Sequence, residues 1–136
     1  MSTAVRPTRF VYALDCPDPV ALAEFYAALL GWEVQLPVPD DADFGDPEWV
    51  AAVPPDVAPG GFSLGFQRVP NYRAPDWPEG PIPQQAHLDL WVDDVAAAEE
   101  RALESGSTRH AVQPSVDGGW IVFADPAGHL FCLCVA

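Results

Sequence analysis

Three side chains in the segment "HLDLWVDD", residues 87–94, could do chemistry together. The imidazole of His87 can ligate a metal or act as a general base near neutral pH. The Asp89 carboxylate can orient that imidazole or receive a cation, and the Trp91 indole offers a flat face for stacking. The three stand two residues apart and alternate with Leu88, Leu90 and Val92. On a β-strand this spacing puts His87, Asp89 and Trp91 on one face and the aliphatic set on the other. A histidine at the head of such a run serves either metal chemistry or a binding wall. The choice depends on which residues join it.

Few other reactive groups are available. Cys16, Cys132 and Cys134 form an odd set without disulfide or zinc-ribbon spacing, and are expected as free thiols. Cys132 and Cys134, two apart on a strand, face the same side and cannot readily bond to each other. His110 and His129 sit near turns and read as surface residues, and Trp32 and Trp120 read as core.

Charge narrows the partners. The six basic residues are all arginine, and the net charge is −14. Such a surface repels phosphate backbones, so neither nucleic acid nor an anionic membrane is expected as a partner, while a cationic or neutral guest is favoured. No stretch reaches the length of a membrane span, and "MSTAVRPTRF" lacks the apolar core of a signal peptide, so the chain reads as cytoplasmic.

The elements that must position these residues come from an internal repeat. "VYALDCPDPVALAEFYAALLG" (11–31) matches "HLDLWVDDVAAAEERALESG" (87–106) at an offset of 76, each giving a strand, an aspartate, a helix and a glycine. Asp18 caps the first helix, Pro19 opens it, and Gly31 ends it; Leu22, Phe25, Tyr26, Leu29 and Leu30 fall on one face. Asp93 or Asp94 caps the second, whose stripe of Val95, Ala98 and Ala102, with Leu103 beside it, is thinner and stops at Gly106. Strand character follows at 32–36, 48–53 and 62–69 in the first half, and at 108–113, 119–124 and 130–135 in the second. "DPAG" (125–128) suits a type I turn. Each half is therefore β-α-β-β-β. Between them, residues 70–84 carry five prolines and read as an extended linker, and the acidic stretch 37–49 reads as a loop. Tyr72, Trp77 and Trp49 sit in or beside these segments, either covering a pocket or pinning the loops.

Tandem βαβββ halves with "FYAALLG" in the first and "HLDLWVDD…DPAGHLFCLC" in the second resemble the vicinal oxygen chelate superfamily, which includes glyoxalase I, extradiol dioxygenases and the bleomycin and fosfomycin resistance proteins. The likeness spans about residues 8 to 135 and is nearest in feel to the small glyoxalase-like proteins. It implies an α+β fold in a single domain over 1–136, with module one at about 8–69, a linker at 70–84 and module two at about 85–136. Two modules side by side would form an open cleft, and a homodimer is expected on the same ground.

Metal-dependent members of that superfamily use four cleft positions, usually His, Glu or Gln. The resemblance maps them to Val11, the repeat partner of His87, to a position near Gln67, to His87 and to Cys132. Valine has no donor atom, Gln67 is a neutral oxygen donor, and no carboxylate stands at these positions for a hard cation. Zinc would accept His87 and Cys132, two ligands where catalytic sites normally have three. A nucleophilic His87–Cys132 pair would need a positive neighbour or a helix N-terminus, and the chain is short of positive charge. The expectation is therefore no family-type metal site and no cofactor, with Asp15 or Asp89 as the residues a non-standard site would recruit.

The first reading is a protein that binds a small, partly aromatic or cationic molecule through His87, Asp89, Trp91, Gln67 and Cys132. The alternative is a lyase, isomerase or dioxygenase that uses a recruited divalent metal or His87 as general base. A third reading is a dimerisation module whose cleft is filled by its own side chains.

Overall fold

Asp18 and Asp94 start the two helices in the same way. Their side chains accept hydrogen bonds from the backbone N–H groups of Ala21 (3.2 Å) and Ala97 (3.0 Å), each satisfying one orphan donor of a first turn. Helix α1 runs Pro19–Leu30 and α2 runs Val95–Ser105; Gly31 and Gly106 close them in the left-handed region. Of the two candidate caps of α2, Asp94 is the one used.

The computed structural model describes residues 4–37, 47–56 and 60–136, so most of the acidic stretch expected as a loop lies outside the described residues. The chain divides into two compact units, Met1–Pro70 and Asn71–Ala136. The first holds β1 (Arg9–Cys16), α1, β2 (Glu33–Gln35), β3 (Trp49–Val53) and β4 (Gly61–Arg68). The second holds β5 (Leu88–Val92), α2, β6 (Thr108–Arg109), β7 (Trp120–Ala124) and β8 (Leu130–Val135). The sheet orders are β1-β4-β3-β2 and β5-β8-β7-β6, so one topology occurs twice. In each, the first and last strands pair in parallel and the remaining neighbours pair antiparallel. The fold is α+β, built of two tandem βαβββ modules.

Alternation sorts the faces. In the first unit, Leu14, Cys16, Leu64 and Phe66 are buried, and Tyr26 of α1 stacks on Phe66 with ring centroids 5.6 Å apart. In the second, Phe131 and Leu133 are buried on β8, and Phe123 stacks on Phe131 at 5.5 Å. The helices are tied down unequally. Pro19, Leu22, Ala23, Phe25 and Tyr26 are buried on α1, but only Ala102 on α2, and Leu103 is exposed. A stripe of alanines has little area to bury, so α2 gains less from the hydrophobic effect.

Two expectations are revised. The run 108–113 is strand only at Thr108–Arg109, because Gln113 folds back and pairs its amide with Val122 N–H (2.9 Å) and Val122 C=O (2.8 Å). The proline-rich segment is not a free spacer, since the chain from Asn71 onward is folded into the second unit. The Tyr72 hydroxyl donates to the Ala127 carbonyl (2.9 Å), and Asp76 N–H donates to the Ile82 carbonyl (2.6 Å).

The turn at 125–128 closes as its sequence implies. Gly128 N–H donates to the Asp125 carbonyl, and the Asp125 carboxylate accepts from Ala127 and His129 N–H. Gly128 has φ +88°, and a Cβ there would strike Ala74, so only glycine fits.

Candidate functional site

The turn at 125–128 sets the register of β7 on β8, and with it the second unit's open face. Trp120 stands opposite Cys134, Val122 opposite Cys132, and Ala124 opposite Leu130. On the other side of β8, the parallel pairing puts Asp89 opposite Cys132 and Trp91 opposite Cys134. Paired residues share a face. The side away from Phe131 and Leu133 therefore presents Asp89, Trp91, Trp120, Val122, Leu130, Cys132 and Cys134, with His87 one residue ahead of β5.

Two adjoining hollows lie on this face. One, of about 200 Å³, is mostly apolar: Trp77, Pro114, Trp120, Val122 and Leu130 line it together with Gln84, His87 and Cys132. The other, of about 270 Å³, is lined by His87, Asp89, Trp91, Gly119, Trp120, Cys132 and Cys134. His87, Trp120 and Cys132 border both, so an aromatic shelf meets a polar group there.

At that border the His87 Nε2 lies 3.2 Å from Asp89 Oδ1, within hydrogen-bond reach. Both side chains are more than 40% exposed (42% and 47%), and an ion pair that wet adds between 0 and about 1 kcal/mol to stability. The Cys132 thiol is half-buried and pushed up to about 11 by desolvation, by the Asp89 charge and Cys134, and by a hydrogen bond to Asp89. Desolvation and Asp89 raise Cys134 as well. These thiols are protonated at neutral pH, which disfavours a nucleophilic His87–Cys132 pair. A donor atom from each of His87, Asp89 and Cys132 can be chosen so that all lie within 4.8 Å of one another.

The structure thus brings together four of the five residues expected from sequence: His87, Asp89, Trp91 and Cys132. Gln67 belongs to the first unit, where it is exposed on β4 opposite Asp15 and Trp49. The repeat can be read through strand pairing here. Ala13 faces Gly65 across β1 and β4 as Asp89 faces Cys132 across β5 and β8, so Gly65 is the repeat partner of Cys132, two residues before Gln67. The first unit's counterparts of His87 and Cys132 are Val11 and Gly65, neither of which has a side-chain donor. The Trp49 ring packs where a Cβ at Gly65 would go.

Two further tryptophans join this face. Trp120, expected in the core, is half-buried and lines both hollows. The register of the Asp125–Gly128 hairpin placed it opposite Cys134 and could have revealed it. Trp77 both walls the apolar hollow and packs edge-on against His110, with centroids 5.0 Å apart. His110 and His129 are correspondingly half-buried rather than surface residues. His110 Nδ1 accepts from Val112 N–H, and His129 Nε2 lies 3.2 Å from the Tyr72 hydroxyl.

Comparison with known proteins places the fold and the family. TnmS3, an antibiotic binding protein from Streptomyces sp. CB03234, is 19% identical with TM-score 0.58, over 99% of this chain and 98% of that one. A possible glyoxalase from Bacillus cereus is 16% identical with TM-score 0.61, over 96% and 99%. A glyoxalase/bleomycin resistance protein/dioxygenase family enzyme from Burkholderia phytofirmans PsJN is 16% identical with TM-score 0.59, over 92% and 95%. At these identities the likeness shows the fold alone. A search of curated protein sequences gives no match. Residues 12–134 match the glyoxalase-like domain, so the chain belongs to that family, within the vicinal oxygen chelate superfamily.

Proposed function

We propose that this protein binds a small, partly aromatic, cationic molecule on the open face of its second unit, without the four-position metal site of its superfamily. The observation that carries the reading is the second hollow, where the exposed His87–Asp89 pair meets Trp120 and Trp91. A flat ring can stack on indole while a cationic group is received by the carboxylate. Steering by the net charge of −14 adds to this, weakened by salt. A solved structure of the same fold is that of an antibiotic binding protein, which supports sequestration as the role.

Titration of planar aromatic amines against matched neutral analogues, followed by tryptophan fluorescence and calorimetry in the presence of a chelator, tests the reading. Cations are expected to bind more tightly than their neutral analogues, with the preference lost in Asp89→Asn and overall affinity lost in Trp120→Ala. Equal binding of both classes, unchanged by either substitution, would overturn it. We further propose a homodimer acting in the cytoplasm, on the superfamily resemblance; a monomeric mass by light scattering would refute the dimer.

A further inference from the structure

The geometry points to a three-donor site for a borderline-soft divalent cation, such as zinc or cobalt(II), formed by His87, Asp89 and Cys132 within the second unit. It shares His87 and Cys132 with the four positions mapped from the superfamily but differs from that arrangement, because Asp89 holds none of those positions and every donor comes from β5, its leading residue, and β8.

Strand geometry makes the cluster. Asp89 and Cys132 are direct partners in the parallel β5–β8 pairing, and His87 stands two residues before Asp89 on the same face. Donor atoms of all three fall within 4.8 Å of one another, and the imidazole nitrogen and carboxylate oxygen are 3.2 Å apart. Zinc bonds of roughly 2.0–2.2 Å to nitrogen and oxygen in a tetrahedron leave those ligand atoms about 3.3–3.5 Å apart, so this pair needs only a small adjustment. Sulfur bonds are longer, roughly 2.3 Å, so a ligating Cys132 sulfur would stand somewhat farther from the other two donors.

The donor types choose the ion. One thiolate and one imidazole select zinc, cobalt or copper over magnesium or calcium, which prefer all-oxygen shells. Binding replaces the thiol proton by the metal, and that proton passes to solvent. Three protein ligands leave a fourth position for water or an exogenous ligand, as in catalytic zinc sites. The hollow bounded by Trp91 and Gly119 supplies room for it, since Gly119 carries no side chain.

This inference shares Asp89 with the reading above but does not rest on it, and the two are tested separately. Untagged protein is stripped with a chelator, freed of it, and titrated with cobalt(II) without any organic ligand. One equivalent should produce thiolate-to-cobalt charge-transfer absorption in the near ultraviolet and intense tetrahedral visible bands, both removed by zinc and unaffected by magnesium. Cys132→Ser should abolish the charge-transfer absorption, and Asp89→Asn and His87→Ala should each weaken binding at least about tenfold. Circular dichroism of each variant verifies that it is folded. Absence of the charge-transfer absorption at one equivalent in the parent protein, or its persistence in Cys132→Ser, would overturn the site. Binding of organic cations to chelator-treated protein is a separate readout and can fail or succeed on its own.

Discussion

The two units share one topology and use their open faces differently. In the first, the repeat counterparts of His87 and Cys132 are Val11 and Gly65, and the Trp49 indole occupies the space over Gly65. In the second, the same register carries an imidazole and a thiol, joined by Asp89, beside two hollows. The helices differ too. Helix α1 is anchored by Phe25 and Tyr26, whereas the inner stripe of α2 is alanine. The first unit is thus the better anchored by its helix, and the second carries the two hollows on its open face. A shared strand order fixes where side chains point; it does not decide whether they fill the space or leave it open.

The contrast can be broken most forcefully at Tyr26. Tyr26→Ala removes a fully buried ring stacked on Phe66 and should cost about 3–5 kcal/mol in urea or thermal unfolding. A loss below 1 kcal/mol, on the order of a single methylene, would refute the account of α1 as the better-anchored helix.

A matched pair of substitutions sharpens the comparison of faces. Gly65→Ala drives a methyl into the Trp49 ring and should destabilise by about 1–3 kcal/mol. Its repeat counterpart Cys132→Ala borders the hollows and should cost less than about 1 kcal/mol. Equal losses would show that the two faces are packed alike.

The caps should behave as equals. Asp18→Ala and Asp94→Ala each remove one side-chain bond to a first-turn N–H, so each should cost about 1 kcal/mol. A large inequality would locate the difference between the units in their helix starts rather than in their packing.

The smallest expected effect is on thiol reactivity. The pKa of Cys132 is raised from 9.0 to about 11, so in metal-free protein its alkylation should remain slow at neutral pH and reach half its maximum only near pH 11. The folded state holds this proton more tightly than the unfolded one, so the associated stability is fully present below pH 9 and is lost as pH rises through about 11. Asp89→Asn removes a charge and changes the hydrogen bond that hold the thiol up, and should move the alkylation profile to lower pH. An unmoved profile, measured by mass spectrometry of the labelled peptide, would show that Asp89 does not govern Cys132.

Much of the fold was legible because its signals are local. Asp18, Pro19 and Gly31 announce α1, and the alternation of "HLDLWV" assigns the face shared by His87, Asp89 and Trp91. The partnership of Asp89 with Cys132 was less legible, since it needs the parallel register of two strands about forty residues apart. Pairing a strand with a distant one is a tertiary event that no local propensity encodes. Trp77 and Trp49 were legible as aromatics that cover a pocket or pin a loop, but the choice between those roles depends on distant neighbours, His110 for one and the bare backbone of Gly65 for the other. The weak strand at Thr108–Arg109 failed because the Gln113 side chain competed for the backbone groups of Val122.

The wall that carries Trp77 belongs to a stretch outside the β-α-β-β-β repeat, fastened to the second unit through Tyr72 and His110. Substitutions at Trp77 or Gln84 can reshape the apolar hollow without disturbing any ladder of the sheet. On the proposed function, ligand preference can therefore drift through evolution while the architecture stands still, and a laboratory library confined to residues 77–84 would exploit the same separation.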